Sequence, residues 1–391
     1  MGYLIDSEAQ ARLAKVRAIL EAKKLDLALV YYDEFNIGNG WFLTGWCPQF
    51  ESGAVLVPRV GTPMILGGPE SEPFAKQESA IKETRNFPVF MVPDEEYPNA
   101  TIIDFPHLFA ELNAMLGKVS RVGLVGLDRM PTACHAGILA GFAGVELVDI
   151  TDDFLALRHI KSAWEIEQIG HAFNLADAAC DAMTAAVKPG KSEIEVAAEG
   201  EYAVRSRGAS GFGFSAIVGS GARANAVVPT AGSKVLEPGE LVMLGLAPKW
   251  RGYAGVFGDT VPVSGEYTAR QKDCINHLRE VFRLTKAMLQ VGRSGREIDA
   301  PGREYFAKHD LLRYLVCPFA HTIGLLEAEA PFFGPNSDDV LTPGMTVCVD
   351  VSFFGHPEFN GARIETGYLI TEEGPKPFSP KMDALHTSEL K

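Results

Sequence analysis

Three polar residues toward the C-terminal end of the chain are the first candidates for chemistry. His321 lies in AHTIG, Asp350 in VCVDVS and Glu365 in ARIETG. An imidazole beside carboxylates has its charged form stabilised and can accept or donate a proton near neutral pH. If the fold brings the three side chains together, we expect them to perform acid–base catalysis.

Two arginines are candidates for binding an anionic group of a substrate. Arg363 precedes Glu365 by two residues, so both side chains face the same side of a strand. Its planar guanidinium can bind a carboxylate, and a structural ion pair with Asp350 or Glu365 is the alternative. Arg223, in the loop sequence SGARAN, is the second candidate, and a solvated surface arginine is the alternative there.

The elements that must position these residues fall into two domains. Short β-rich runs alternate with helical patterns in the first part of the chain, which predicts an α/β domain. From Ala163 a long helical pattern runs to Pro189. We place the boundary near Leu157, which gives an N-terminal domain at 1–157 and a C-terminal domain at 158–391.

The C-terminal domain carries an internal repeat. KPGKSEIEVAAEGEY and QVGRSGREIDAPGREY share five identical residues at a separation of 102 residues. EPGELVMLGLA and TPGMTVCVDVS share a Pro-Gly pair at a separation of 105. Each half is typical of two helices followed by a strand pair. Duplicated α+β halves pack their strands into one sheet and leave a cleft at the pseudo-twofold axis, where we expect the binding pocket.

Composition excludes several classes of protein. The 36 Lys and Arg against 50 Asp and Glu give a net charge of −14, which argues against nucleic-acid binding. No apolar run approaches the roughly 18 to 20 residues of a membrane span. The first residues lack a signal-peptide pattern, so we expect a cytoplasmic protein without a membrane partner. The six cysteines lie singly, which predicts neither a disulfide framework nor a zinc knuckle.

A series of motifs occurs along the chain in a fixed order: NGWFLTGW, RHIKSAWEIEQIGHAFNLADAACDAM, KPGKSEIEVAAE, PGELVML, AHTIG, LTPGMTVCVD and ARIETGYLITEEG. These motifs resemble the signatures of the creatinase/aminopeptidase P/prolidase superfamily. The resemblance implies the pita-bread fold for the C-terminal domain. It also implies a homodimer in which the N-terminal domain of one chain reaches the site of the other, with Trp41, Trp46 and Phe50 as candidate contacts.

The resemblance further implies a metal centre of which this chain lacks a part. Peptidases of the superfamily hold two divalent metals through two Asp, one His and two Glu. Gly245 and Val256 stand in register with the two aspartates, and the nearby Asp259 faces the opposite side of its strand. The other three positions hold His321, Asp350 and Glu365. We therefore predict no dinuclear centre and no cofactor, with a single divalent ion on these three residues as the alternative.

Other polar positions near the motifs also depart from the superfamily. Val228 replaces a His that creatinase-like members carry after an S-G pair. Glu327 and Glu329 follow AHTIG, where peptidases carry a His-Glu pair. His356 and Glu358 are candidates for the rim of the cleft, with a solvated loop as the alternative.

Aromatic residues crowd the segments expected to line the cleft. Tyr253 and Phe319 are the candidate substrate contacts, because an apolar or aromatic ligand suits such walls. Core packing is the alternative, since strand alternation turns about half of these side chains away. The full set comprises Phe212, Phe214, Tyr253, Phe257, Phe319, Phe332, Phe333, Phe353, Phe354 and Phe359, with Trp41, Phe42, Trp46 and Phe50 from the N-terminal domain.

We predict a metal-independent, creatinase-like enzyme that hydrolyses a non-peptide C–N bond in a small aromatic or anionic molecule. His321 would shuttle the proton, Asp350 and Glu365 would orient it or a water, and Arg363 would hold an anionic group. The alternatives are a lyase that abstracts a proton and releases a small fragment, and a non-catalytic relative that binds a ligand or partner. The missing aspartates argue against a dimetal aminopeptidase.

Overall fold

The computed structural model describes residues 3–93 and 96–391 of the chain. Two units fold around separate cores, the first comprising Met1–Arg158 and the second His159–Lys391. None of the helices in these described ranges combines the length and hydrophobicity that a bilayer span requires.

The first unit is built on a six-stranded mixed sheet. Its strands are β1 (Leu27–Tyr32), β2 (Gly53–Pro58), β3 (Met64–Gly67), β4 (Thr84–Asn86), β5 (Arg121–Val125) and β6 (Glu146–Asp149). Its helices are α1 (Asp6–Lys23), α2 (Ile37–Thr44), α3 (Glu72–Glu78), α4 (Phe105–Leu116), α5 (Thr132–Gly141) and α6 (Thr151–Ala156). The strand order is β4-β3-β2-β1-β5-β6, with β1 parallel to β5 and antiparallel to β2. This confirms the predicted α/β architecture.

The aromatic residues predicted to contact a second subunit differ in exposure. Trp46 is buried and Trp41 stacks on Tyr3, whereas Phe50 is 82% exposed. Burial inside its own unit leaves Trp46 unavailable for a contact between subunits. Of the three, Phe50 presents the most exposed ring.

The second unit is built on an eight-stranded sheet and a small second sheet. Its helices are α7 (Ala163–Ala186), α8 (Glu193–Arg205), α9 (Ala269–Ala287), α10 (Gly295–Lys308) and α11 (Pro380–Thr387). Its strands are β7 (Gly211–Phe212), β8 (Ile217–Ser220), β9 (Leu241–Leu246), β10 (Pro248–Trp250), β11 (Tyr253–Ala254), β12 (Phe257–Pro262), β13 (Ala320–Thr322), β14 (Glu329–Phe332), β15 (Thr346–His356), β16 (Asn360–Thr371) and β17 (Gly374–Pro377). The large sheet runs β14-β13-β15-β16-β12-β9-β8, with β17 beside β16, and β11-β10-β7 form the small sheet.

The sequence repeat is also a structural repeat. Helices α8 and α10 begin with identical capping boxes, in which Ser192 and Ser294 accept from the backbone N–H three residues on. In return, the Glu195 and Glu297 carboxylates accept from the two serine N–H groups. One core packs α7 and α8 against β8, β9 and β12, and the other packs α9 and α10 against β15 and β16. The predicted internal repeat is confirmed.

Strand alternation divides the large sheet into a core face and a site face. Val349 and Val351 of β15 and Ile364 of β16 enter the core formed with α9 and α10. Successive side chains on a strand point to opposite faces. Asp350 and Arg363, which are adjacent to these apolar residues along their strands, therefore face the other side.

We expect the two helix caps to contribute equally to stability. Ser192→Ala and Ser294→Ala should each destabilise the second unit by about 1 kcal/mol, because the caps have the same geometry and a lost cap costs about that much. Urea unfolding of each variant measures the loss. Ser233→Ala, at an exposed position outside the helices, is the control and should change stability by less than about 0.5 kcal/mol. Losses that differ by more than about 1 kcal/mol would contradict equivalence of the two halves.

A buried histidine in the last helix should make the fold sensitive to acid. His386 of α11 is fully buried beside Phe282, and burial lowers the pKa of His386 to about 3. The unfolded chain binds a proton at this ring near pH 6.5, whereas the folded protein does not. Its stabilising contribution is therefore complete above about pH 6.5 and falls by about 1.4 kcal/mol per pH unit below that value.

His386→Asn removes this titration and tests its contribution. Between pH 7 and pH 5 the unaltered protein should lose about 2 kcal/mol more stability than the variant, measured by urea unfolding. An equal loss in the two proteins would show that other groups cause the acid sensitivity.

Candidate active site

Strands β13, β15 and β16 bring the predicted site residues together on the site face of the large sheet. Asp350 of β15 pairs in register with Glu365 of β16, two residues along from Arg363. His321 of β13 pairs with Cys348, which precedes Asp350 by two residues. Residues directly opposite each other share a face. An imidazole, a guanidinium and two carboxylates therefore converge.

The Arg363 guanidinium bridges the two acids. Its Nε donates to Asp350 Oδ1 at 2.9 Å, and its NH2 group donates to Glu365 Oε2 at 2.6 Å. Arg363 is only 4% exposed. The structure thus pairs this arginine with protein carboxylates, which is the arrangement that the sequence left open as the alternative to substrate binding.

His321 lies beside a third acid, Glu327. The His321 Nε2 is 3.4 Å from Glu365 Oε1 and 3.8 Å from Glu327 Oε1, and its Nδ1 is 3.1 Å from the carbonyl oxygen of Thr322. A carbonyl oxygen only accepts, so Nδ1 carries a proton and Nε2 is directed at the carboxylates. Sequence reasoning noted Glu327 only as a departure from the superfamily pattern. The sequence feature that could have pointed to Glu327 is its position directly after the apolar GLL segment that follows the motif histidine.

Two carboxylate oxygens of this cluster are buried without a hydrogen bond. Among the described residues, neither Glu327 Oε1 nor Glu365 Oε1 has a hydrogen-bond partner. Both face the same atom, His321 Nε2. Because a buried polar atom without a partner is costly, the space between these three atoms favours a proton or a cation.

Burial and the crowding of charges shift the pKa values of the cluster. Burial opposes the charged form of His321, but its interactions with Glu365 and Glu327 raise the pKa of His321 to about 9. Burial and the charge of Glu365 raise the pKa of Glu327 to about 7, and burial raises that of Asp350 to about 6 in spite of Arg363. For Glu365, Arg363 outweighs burial and holds the pKa below its ordinary value. The three carboxyl groups of the cluster therefore exceed the positive charge available to neutralise them, and two of them hold a proton more readily than usual.

The side chains of the other predicted substrate contacts have partners outside this cluster. Phe319 is fully buried in the core. The Tyr253 hydroxyl donates to Glu165 Oε1 at 2.8 Å, and Arg223 Nε donates to the buried Glu193 Oε2 at 2.8 Å. Core packing, a buried hydrogen bond and a structural ion pair account for the three side chains, and none of them joins the cluster.

The remaining polar candidates have partners of their own. Glu329 Oε1 is 3.0 Å from the buried Lys161 Nζ. Glu358 forms an exposed ion pair with Arg270, and His356 stacks on the Phe359 ring. These side chains belong to structural contacts rather than to the cluster.

Two of the aromatic residues flank the cluster. The Arg363 guanidinium carbon lies 5.9 Å from the centre of the Phe214 ring, and the Phe332 ring lies 6.3 Å from the His321 ring. Phe332 is 49% exposed although its neighbour His321 is buried. This aromatic ring therefore borders the cluster on the solvent side. Several others of the predicted set are core residues instead: Phe257, Phe319, Phe333 and Phe353.

The sequence matches two protein families. Metallopeptidase family M24 matches residues 167–372, which include the whole cluster, and the creatinase/prolidase N-terminal domain matches residues 12–160. The chain belongs to metallopeptidase family M24. The second match identifies the first unit as the N-terminal domain that accompanies this family.

Named relatives of this M24 family member are peptidases. An uncharacterized peptidase of Bacillus subtilis is 34% identical over 247 residues, which cover 63% of this chain and 69% of the relative. The Xaa-Pro dipeptidase of Pyrococcus furiosus is 31% identical over 231 residues, covering 59% of this chain and 66% of the relative. The matched segments thus span about two thirds of the lengths of these relatives.

Solved structures extend the likeness over nearly the whole chain. The Xaa-Pro dipeptidase from Bacillus anthracis has a TM-score of 0.79 and 26% identity, covering 95% of this chain and 98% of that one. The prolidase from Pyrococcus horikoshii has a TM-score of 0.79 and 23% identity, covering 94% and 97%, and shows the same fold. The predicted pita-bread domain with a creatinase-type N-terminal domain is therefore confirmed.

These findings correct the predicted function. A metal-independent C–N hydrolase or lyase is wrong, because the chain belongs to a metallopeptidase family and its named relatives are dipeptidases. The prediction that no cofactor is involved is wrong for the same reason. The inference from the missing aspartates to metal independence did not hold, and the notion of a non-peptidase member has no support among the relatives.

One half of the sheet offers no donors at the expected metal positions. Gly258 of β12 pairs in register with Glu365 on one side and with Gly245 of β9 on the other. Gly245 therefore lies in the same row on the site face, without a side-chain donor. Asp259 pairs with Leu244, which enters the core under α7 and α8, so its carboxylate faces away from the site.

The donors that are present fit one cation and do not fit two. Val256 is buried and apolar at the second aspartate position. Donor atoms of His321, Cys348 and Glu365 all lie within 4.8 Å of one another. A ligand set of this size holds a single divalent ion.

We expect removal of the Arg363 guanidinium to destabilise the second unit. Arg363→Met leaves Asp350 and Glu365 buried without their cation, which should cost about 3 to 5 kcal/mol, and thermal unfolding measures the loss. Part of the loss should disappear at pH 5, because protonation neutralises the acids. Arg270→Met, which breaks an exposed ion pair, is the control and should cost less than about 1 kcal/mol. Equal effects of the two substitutions would contradict this role of Arg363.

Proposed function

We propose that this M24 family member is a metal-dependent peptidase that hydrolyses small peptides of the Xaa-Pro dipeptide class. The observation that carries the proposal is the convergence of His321, Asp350 and Glu365 on the site face of the pita-bread sheet. Relatives and structural neighbours named Xaa-Pro dipeptidase support the choice of substrate. The cytoplasmic location and the homodimer stay predictions from sequence.

The donor set assigns different tasks to the cluster residues. His321 and Glu365 would hold a divalent cation, which when bound supplies Lewis-acid polarisation. Asp350, with a pKa raised to about 6 by burial, can accept a proton from the attacking water and return it to the leaving nitrogen. Arg363 positions Asp350 through the bond to Oδ1 and keeps Glu365 ionised.

Aromatic rings beside the cluster favour an apolar residue on the substrate. Phe332 is half-exposed beside His321, and Phe214 lies against Arg363. An aromatic or aliphatic N-terminal side chain of a dipeptide can stack on such rings. Phe-Pro is therefore a suitable first substrate, with Phe-Ala as the matched dipeptide that lacks proline.

We expect the purified, Mn²⁺-loaded protein to release proline from Phe-Pro faster than alanine from Phe-Ala, measured by amino-acid analysis. Asp350→Asn should lower kcat by at least about 100-fold, because a positioned acid–base group contributes that much. Asp338→Asn, at an exposed residue paired with Arg296, is the matched control and should keep full activity. Absence of hydrolysis of Xaa-Pro dipeptides by folded protein that contains metal would sink the proposal.

A further inference from the structure

We propose that Glu327 is the third ligand of a single divalent cation held with His321 and Glu365, so that this protein binds one ion per chain. The inference rests on the proposed metal dependence but concerns the number of ions and the identity of the ligands. Neither the family match nor the motif positions assign Glu327 a role.

The geometry of three facing atoms supports this ligand set. His321 Nε2 is 3.4 Å from Glu365 Oε1 and 3.8 Å from Glu327 Oε1. Ligand atoms at about 2.0 to 2.2 Å from one ion lie roughly 3.0 to 3.6 Å from each other. The two separations from His321 Nε2 are close to this range, and a small movement of Glu327 toward the ion brings the longer one within it.

The hydrogen bonding of the three residues also suits a cation. Both carboxylate oxygens are buried and have no hydrogen-bond partner among the described residues, although they lie 3.8 Å (Glu327) and 3.4 Å (Glu365) from His321 Nε2. The His321 Nδ1 donates to the carbonyl oxygen of Thr322, which leaves Nε2 for the ion. Metal-binding histidines commonly use their second nitrogen in this way.

Cys348 is the competing candidate for the third ligand. Its Sγ also lies within 4.8 Å of donor atoms of His321 and Glu365. A thiol, however, can stay buried and neutral without a partner at little cost, whereas a carboxylate oxygen cannot. The buried Glu327 oxygen, which lacks a hydrogen bond, therefore gives the stronger reason to place an ion.

The charge of the buried cluster matches one divalent ion. Asp350, Glu327 and Glu365 carry three negative charges when ionised, and Arg363 carries one positive charge. One divalent cation with a neutral His321 brings the sum to zero. A second divalent cation would leave two positive charges in excess in a buried site, without the two aspartates that would balance them. The Arg363 guanidinium and one divalent ion together therefore neutralise the three carboxylates.

Titration of the metal-free, full-length protein with Mn²⁺ tests the number of ions. Isothermal titration calorimetry should give one site per chain, and elemental analysis of the loaded, desalted protein should give one equivalent. Two equivalents, or no binding, would overturn the inference. Circular dichroism and thermal unfolding establish that each preparation is folded.

Substitutions at single residues test the ligands. Glu327→Gln keeps the shape and should weaken Mn²⁺ binding by at least about tenfold, since even groups outside the ligand shell contribute that much. Glu365→Gln should do the same or more. Glu358→Gln, an exposed charge change outside the cluster, is the control and should bind Mn²⁺ like the unaltered protein. Undiminished binding by Glu327→Gln together with weakened binding by Cys348→Ser would assign the ligand to the cysteine and overturn the proposal.

Binding and activity separate this inference from the proposed function. One tightly bound Mn²⁺ that Glu327→Gln weakens, without hydrolysis of any dipeptide, supports the ligand set and removes the peptidase proposal. Hydrolysis of Phe-Pro by protein that holds two ions leaves the peptidase proposal standing and overturns the single-ion site.

Discussion

The buried ion pairs of Arg363 with Asp350 and Glu365 are the constraint on which the rest of the site depends. Removing a guanidinium and two carboxylates from water costs about several kcal/mol per ion. Only close and well-aligned partners can compensate for this cost. The register of β15 and β16 supplies that alignment by placing Asp350 opposite Glu365. A slip of one residue would turn these charges into the apolar core and bring valine and isoleucine to the site. The register of β15 and β16 therefore aligns the ion pairs, and the cost of burying unpaired charges disfavours any other register.

The duplicated halves share their architecture but differ in chemistry. Each half begins its second helix with the same capping box and packs apolar strand residues under its helices. Asp350 in the second half nevertheless corresponds to Gly245 in the first, and the donors all come from the second half. Caps and apolar alternation maintain the fold, so side chains on the opposite face can change without altering it. The same separation explains why the chain keeps the M24 fold while its metal positions differ.

The residues at the expected ligand positions predicted metal dependence less well than membership of the family did. Two missing aspartates led to the expectation of a metal-independent enzyme, which the family match contradicts. That reasoning counted donors only at expected positions, whereas Glu327 enters the cluster from the segment after His321. A ligand is defined by where its donor atom lies in space. A loop residue such as Glu327 can therefore supply a donor atom that the register of the strands does not predict.

The sequence by itself determined the α/β first unit, the internal repeat and the faces of Asp259, Arg363 and Glu365, because caps and strand alternation are local properties that a few neighbouring residues decide. Only the tertiary structure decided the partners of these side chains. It gave Arg363 two protein carboxylates, brought Glu327 to His321, and placed Phe319, Tyr253 and Arg223 in structural contacts. Partner choice depends on burial and on residues far apart in the chain, whose approach is set by the packing of whole strands and helices rather than by any local pattern.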